Sequence, residues 1–247
     1  MSVLPEMDAV FFDLDETLIT QKHSFQELGH ATFEAFAERL PGVTRERFWD
    51  RFWADALDMW FMMIDGAIEP EQARIRPYIN ALRALGVGES LAAEMAGHSE
   101  RLLIEGTSLV PAAVPVLDVL RDAGKKVGII TNGFPGPQRG KLARHGLDAH
   151  VDFVVVSGEV GAHKPNPAIF HEALEMAGCV PYRAVYVGDQ PDVDVLGAES
   201  AGMHAVLISL NGQDSALPGA GHARPDTLRI TRIEGVCPLL GVAWPSV

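Results

Sequence analysis

The chain is predicted to fold as an α/β protein built on a doubly wound parallel sheet, with an all-helical domain inserted after the first strand. Three observations predict it. Residues Val10 to Thr17 read Val-Phe-Phe-Asp-Leu-Asp-Glu-Thr, an apolar run of the kind found in strands buried on both faces, ending in two carboxylates. From about residue 107 onward, strand-like and helix-like segments alternate, as right-handed βαβ units require. Between about Phe25 and Glu105 no convincing strand is found, only helical periodicity. The predicted division is therefore a core of residues 1–20 and 107–247 and a helical domain of residues 21–106.

In the insertion, Phe25, Leu28, Phe33, Phe36 and Leu40 fall near one helical stripe, and Pro41-Gly42 ends that helix. Further helices are expected over Arg45–Ile64, Glu71–Leu85 and Ser90–Ile104. The second of the four carries Phe48, Trp49, Phe52, Trp53, Met59, Trp60, Phe61, Met62 and Met63, a set too wide for one stripe. It suits either packing inside the domain and against the core, or an apolar pocket wall or dimer contact. In the core, helices are expected over Val114–Ala123, Gln138–His145, Pro167–Ala177 and Val193–Ala201. Strands are expected at Lys126–Ile130, Phe153–Ser157, Ala184–Val187, His204–Leu210 and Asp226–Ile230, with a closing helix near Ile233–Leu240. Gln213 to Arg224, rich in Gly, Ala and Pro, reads as an exposed loop.

Each predicted core strand around the first ends in polar groups. Asp13 and Asp15 follow Val10-Phe-Phe12; a carboxylate at the end of a buried strand must be paired, hydrogen-bonded or bound to a cation. Thr131-Asn132-Gly133 follows a second strand, and a hydroxyl with exposed backbone N–H groups can hold phosphate oxygens. Lys164 lies in His163-Lys-Pro-Asn-Pro167, just before a helix with proline in its first turn. Gly188-Asp189 follows another strand, with Asp192 and Asp194 close behind, and the glycine permits close backbone approach. Ligands bind at the carboxyl ends of strands in open α/β sheets.

In this order the four segments resemble the four motifs of the haloacid dehalogenase superfamily of hydrolases, and the match spans most of the chain. Asp13, Asp15 and Thr17 meet the family's Asp-x-Asp-x-Thr. Thr131 meets its strand-terminal Ser or Thr, and Lys164 its Lys. Asp189 and Asp194 meet its Gly-Asp with a second Asp five residues on, continued by Gly197, Ala198, Ala201 and Gly202. The resemblance implies a Rossmann-like core with a helical cap of the family's first type. It implies Asp13 as nucleophile, forming an aspartyl-phosphate, and Asp15 as acid and then base. Thr131 and the N–H groups of Asn132 and Gly133 would hold phosphate oxygens, with Lys164 neutralising charge. Mg²⁺ would be held by Asp13, Asp189 and the main-chain carbonyl of Asp15, and Asp194 would act from behind, orienting a bound water or Lys164.

Position 15 discriminates within that superfamily. The dehalogenases attack carbon, need no acid two residues after the nucleophile, and typically lack the second Asp. Phosphomutases usually carry Gly where this chain has Glu16, and a non-catalytic ligand-binding member would usually have lost one of the acids. The expected activity is therefore Mg²⁺-dependent hydrolysis of a small phosphomonoester, a nucleoside monophosphate or a sugar phosphate. A base stacking on Trp or Phe slightly favours the nucleotide.

Composition bounds the partners. The 247 residues, 47% apolar, can bury roughly three-quarters of their unfolded surface. A formal charge of −13 without a dense basic run excludes a nucleic-acid polymer as partner, and no apolar stretch of about 18 residues supports a membrane span. Arg139, Lys141 and Arg144 read as a solvated helix face. Two distant cysteines, Cys179 and Cys237, suit a reducing compartment. The expected setting is the cytoplasm, the expected partner a phosphorylated metabolite, and the expected state a monomer or homodimer.

Overall fold

A computed structural model describes residues 4–210 and 226–245. Gln213 to Arg224, expected as an exposed loop, lie outside the described residues. In chain order the elements are β1 (Ala9–Phe12), β2 (Ile19–Gln21), α1 (Phe25–Phe36), α2 (Arg45–Ile64), α3 (Pro70–Ala84), α4 (Ala92–Glu105), β3 (Thr107–Leu109), α5 (Ala113–Asp122), β4 (Lys126–Thr131), α6 (Pro135–His145), β5 (Phe153–Val156), α7 (Ser157–Val160), α8 (Pro167–Ala177), β6 (Ala184–Gly188), α9 (Leu196–Ser200), β7 (His204–Ile208), β8 (Leu228–Ile230) and α10 (Val236–Leu239). The chain divides into two compact units, one of residues 1–20, 108–132 and 142–247 and one of residues 21–107 and 133–141.

The first unit is built on a six-stranded parallel sheet in the order β5-β4-β1-β6-β7-β8. Along β1, Val10 and Phe12 join an apolar cluster with Val127, Ile129, Val185 and Val187, while Ala9 and Phe11 join a second with Ile130, Val155 and Tyr186. Because successive strand residues face opposite sides, this split means that both faces of the sheet are covered. Residues of α5 and α10, including Leu117 and Val236, pack on the first face, and Ile169, Phe170 and Ala198 of α8 and α9 on the second. That is the doubly wound arrangement. β1 is central, with β4 and β5 on one side and β6 to β8 on the other. The direction of winding therefore reverses at β1, where an α/β sheet opens a crevice at its carboxyl edge.

The second unit is helical. Ser24 and Glu27 form a capping box at the start of α1, and Thr44 caps α2 by accepting from the Arg47 N–H. Its core gathers Phe33, Phe36, Leu40, Phe48, Tyr78, Leu82 and Met95. Phe25 departs from the expected stripe: it is 62% exposed and lies beside Trp53 instead, ring centroids 6.2 Å apart.

The other differences have local causes. Three-residue β2 and β3 pair in a two-stranded sheet, and are too short to display a period. Helix α6 starts at Pro135, three residues before the expected Gln138, because proline is well tolerated in a first turn. The expected Val193–Ala201 helix is a π-helical turn, Pro191–Val195, running into the short α9. The last expected helix is one 3₁₀ turn, Ile233–Gly235, and α10. Lys141 is buried, with Nζ donating to Gln138 Oε1 at 2.8 Å, so it does not belong to a solvated face. No described helix is long and apolar enough to cross a membrane.

Candidate active site

β1 ends at Phe12, paired in register with Ile129 of β4 and Val187 of β6. The next residue, Asp13, extends the ladder, its N–H donating to the Val187 carbonyl at 2.9 Å. The backbone then turns. Leu14 enters the core, its carbonyl accepts from the N–H groups of both Leu18 and Ile19, and Glu16 adopts the left-handed conformation at φ 56°. A non-glycine residue rarely does so, and such turns cluster at functional sites. Asp15, between Leu14 and Glu16, is half-buried and bridges by main chain to Ile19, while Thr17 is fully buried.

Asp13, Asp189 and Asp194 come together, with one oxygen from each within 4.8 Å of the others. All three are buried, at 4%, 4% and 0% exposure. Lys164 closes the group: Nζ lies 2.8 Å from Asp13 Oδ1 and 2.7 Å from Asp194 Oδ1. It also donates to the Tyr186 hydroxyl at 2.7 Å, and that hydroxyl donates to the Ile130 carbonyl at 2.9 Å. Asp194 Oδ2 accepts from the Gln190 N–H at 3.0 Å. Its carboxylate lies so close over Gly188 that a Cβ there would sit 2.4 Å from Oδ2, which is why this strand ends in glycine. Gly197 meets a similar constraint in α9, where a Cβ would come within 3.0 Å of the Pro165 Cα.

The electrostatics follow from burial. Desolvation, reinforced by the charges of Asp194 and Asp189 and offset only incompletely by Lys164, pushes the Asp13 carboxyl well above the usual carboxylate range. Burial opposes the charge on Lys164, but Asp13 and Asp194 outweigh it and hold the ammonium above the usual lysine range. When ionised, three carboxylates against one ammonium leave two negative charges uncompensated. An all-oxygen set of this charge and spacing suits a hard divalent cation. His163, which adjoins Lys164, is buried, and desolvation lowers its pKa.

Two contributions escaped sequence reading. The Asn132 side chain accepts from the Lys164 N–H at 2.8 Å and donates to the Lys164 carbonyl at 2.9 Å, so it clamps the lysine's main chain. Tyr186 supplies the third acceptor for the ammonium. Its signal was a lone hydroxyl in a strand otherwise apolar on both faces. Thr131 ends β4 fully buried, and Gly133 belongs to the helical unit.

Residues 7–202 match the family model described as haloacid dehalogenase-like hydrolase. The chain belongs to the haloacid dehalogenase-like hydrolases. It is 33% identical over 223 residues to a phosphoserine phosphatase of Thermus thermophilus, covering 82% of this chain and 88% of that one. It is 36% identical over 208 residues to a pyrimidine 5′-nucleotidase of Escherichia coli, covering 84% and 88%. A shorter match, 38% identical over 129 residues, takes in 52% of this chain and spans only 56% of a glyceraldehyde 3-phosphate phosphatase of Methanothermobacter thermautotrophicus. Among solved structures, a 2-haloacid dehalogenase of Pseudomonas syringae superposes with TM-score 0.71 at 26% identity, covering 95% of this chain and 98% of that one. A phosphatase of the family from Thermococcus onnurineus gives 0.66 at 28%, covering 96% and 99%.

Proposed function

We propose that this hydrolase cleaves a small phosphomonoester through an aspartyl-phosphate on Asp13, with Mg²⁺ as cofactor. The observation that carries the reading is the buried triad of Asp13, Asp189 and Asp194 around Lys164. A displacement at carbon by one aspartate has no use for three converging carboxylates, whereas phosphoryl transfer needs its non-bridging oxygens neutralised. Asp15 weighs the same way, and the relatives from Thermus, Escherichia and Methanothermobacter carry phosphatase or nucleotidase names.

In the proposed sequence an Asp13 carboxylate oxygen attacks phosphorus, and the bond to the ester oxygen breaks with its electron pair. Asp15 gives that oxygen a proton, and the alcohol leaves. Water then attacks the phosphoaspartate, losing its proton to Asp15, and phosphate departs with Asp13 restored. Lys164 draws off charge from the phosphoryl oxygens, and Thr131 with the N–H groups of Asn132 and Gly133 completes their cradle. Asp13, Asp189 and the main-chain carbonyl of Asp15 would hold Mg²⁺, with Asp194 steering from behind. When bound, the cation balances the negative charge that the lysine alone leaves over. Specificity is assigned to the helical unit, as a cap, with the aromatic residues of α2 as candidates to read a nucleobase or sugar.

The test is phosphate release across nucleoside monophosphates, sugar phosphates and phosphorylated acids, each with excess Mg²⁺ and with chelator. Release that needs Mg²⁺ is expected. Undiminished release after thorough chelation overturns the metal assignment, and release from none of the esters, with halide release from a 2-haloacid, overturns the whole reading.

A further inference from the structure

We infer that Tyr186 is a positioning residue that holds the Lys164 ammonium in place while Asp13 leaves its ion pair to attack. An ammonium has three N–H donors and no acceptor. Here they meet Asp13, Asp194 and the Tyr186 hydroxyl at 2.8, 2.7 and 2.7 Å, and the lysine side chain is only 2% exposed. Two of these acceptors have other duties under the proposed phosphatase function, on which this inference rests. Asp13 must form a bond to phosphorus, and Asp194 serves the cation site. Tyr186 alone has no competing role.

The tyrosine is itself fixed. It is fully buried on β6, its hydroxyl proton engaged by the Ile130 carbonyl at 2.9 Å. The Phe170 ring packs edge-on at 5.2 Å between centroids, and Nζ lies 5.3 Å from the tyrosine ring centre. Sheet pairing of β6 with β1 and β7 holds the strand from both sides. The oxygen therefore marks a point set by the sheet rather than by a loop. A phenylalanine would preserve the packing, leave one buried ammonium N–H and the Ile130 carbonyl without this partner, and remove the hydroxyl's longer 3.3 Å contact to Asp194 Oδ1, a loss concentrated on charge.

Tyr186→Phe is expected to lower kcat about tenfold with KM for a small aryl phosphate nearly unchanged, the size of one hydrogen bond to a charged group. In a Lys164→Met background the same substitution should cost nothing further, because the tyrosine acts through the lysine. Equal losses in both backgrounds overturn the inference. A second readout needs no turnover. The chain's lysines are Lys22, Lys125, Lys126, Lys141 and Lys164, so ¹⁵Nζ-lysine NMR should resolve a slowly exchanging, buried ammonium that disappears in Lys164→Met. Tyr186→Phe should shift that signal and speed its exchange; an unchanged signal overturns the inference even if phosphatase activity is absent. Should Tyr186→Phe fail to fold, replacing the three tyrosines by 3-fluorotyrosine weakens the phenolic oxygen as an acceptor, and the Lys164 signal must still move.

Discussion

Lys164 and Asp13 stand 2.8 Å apart in the sheet unit, and Arg39 and Glu94 stand 2.8 Å apart in the helical unit. The first pair has side chains 2% and 5% exposed, the second 52% and 56%. In water the longer side chains lose rotamer freedom, are screened by salt and gain little. In the buried pair neither charge can fall back on solvent, so removal of one strands the other. Arg83 and Glu89, also more than half exposed, repeat the surface pattern. Equal separation thus carries different weight in the two units, and surroundings rather than distance make the difference.

The largest expected effect lies at the buried end. Asp13→Asn should abolish turnover, by at least about 10⁴-fold, since no covalent step remains, and a quench-flow search for phosphoenzyme should find none. Residual turnover above that level would remove Asp13 from the nucleophile's role. Next comes Asp15→Asn, expected to cost about 10²- to 10⁴-fold for a sugar phosphate but less for an aryl phosphate, whose leaving oxygen needs little protonation. Equal losses on the two esters would break the acid assignment.

The Asp13 carboxyl gives a signed dependence on pH. A carboxyl raised in the folded state binds its proton more tightly there than when unfolded, so its contribution favours folding at low pH and is lost as pH rises above the ordinary carboxylate range. A bound divalent cation competes with that proton. The rise in Tm on adding Mg²⁺ should therefore be larger at pH 8 than at pH 5.5, by differential scanning fluorimetry against chelator. A rise independent of pH would show that the cation binds elsewhere.

Effects should shrink in the helical unit. Trp49 and Trp53 stack at 5.0 Å, Phe48 is buried against Phe33 and Tyr78, and Trp60 meets Phe134 edge-on at 5.5 Å. Ala at Trp49, Trp53 or Trp60 should raise KM for the natural ester several-fold or reorder the substrate ranking, with a generic phosphate nearly unaffected. Lower Tm with unchanged ranking would make these rings packing alone. Smallest of all, Arg39→Ala should change stability by less than about 1 kcal/mol in urea titration; a larger loss would erase the contrast between the exposed and the buried pair.

How far the sequence disclosed this molecule depended on the reach of each signal. Strand β1 and helix α1 were legible because an apolar run and a single apolar stripe announce themselves locally. The aspartates were legible because carboxylates at strand ends demand an explanation, and Lys164 only through the resemblance of its segment to the family's third motif. Tyr186 and the Asn132 side chain were not, since their work is to meet Lys164 across 22 and 32 residues of chain. Lys141 was misread for a related reason: charge alone does not say that a lysine is buried beside a glutamine. Short β2 and β3 gave no period to read.

A final consequence concerns the ammonium whose three donors are all engaged. Such a group has no rotational freedom left to surrender when a ligand arrives. Ordering a long side chain at a binding event costs about 0.5–1.5 kcal/mol, and here folding has already met that cost. Under the proposed function, Lys164 would therefore confront the phosphoryl group as a fixed positive charge needing almost no reorganisation.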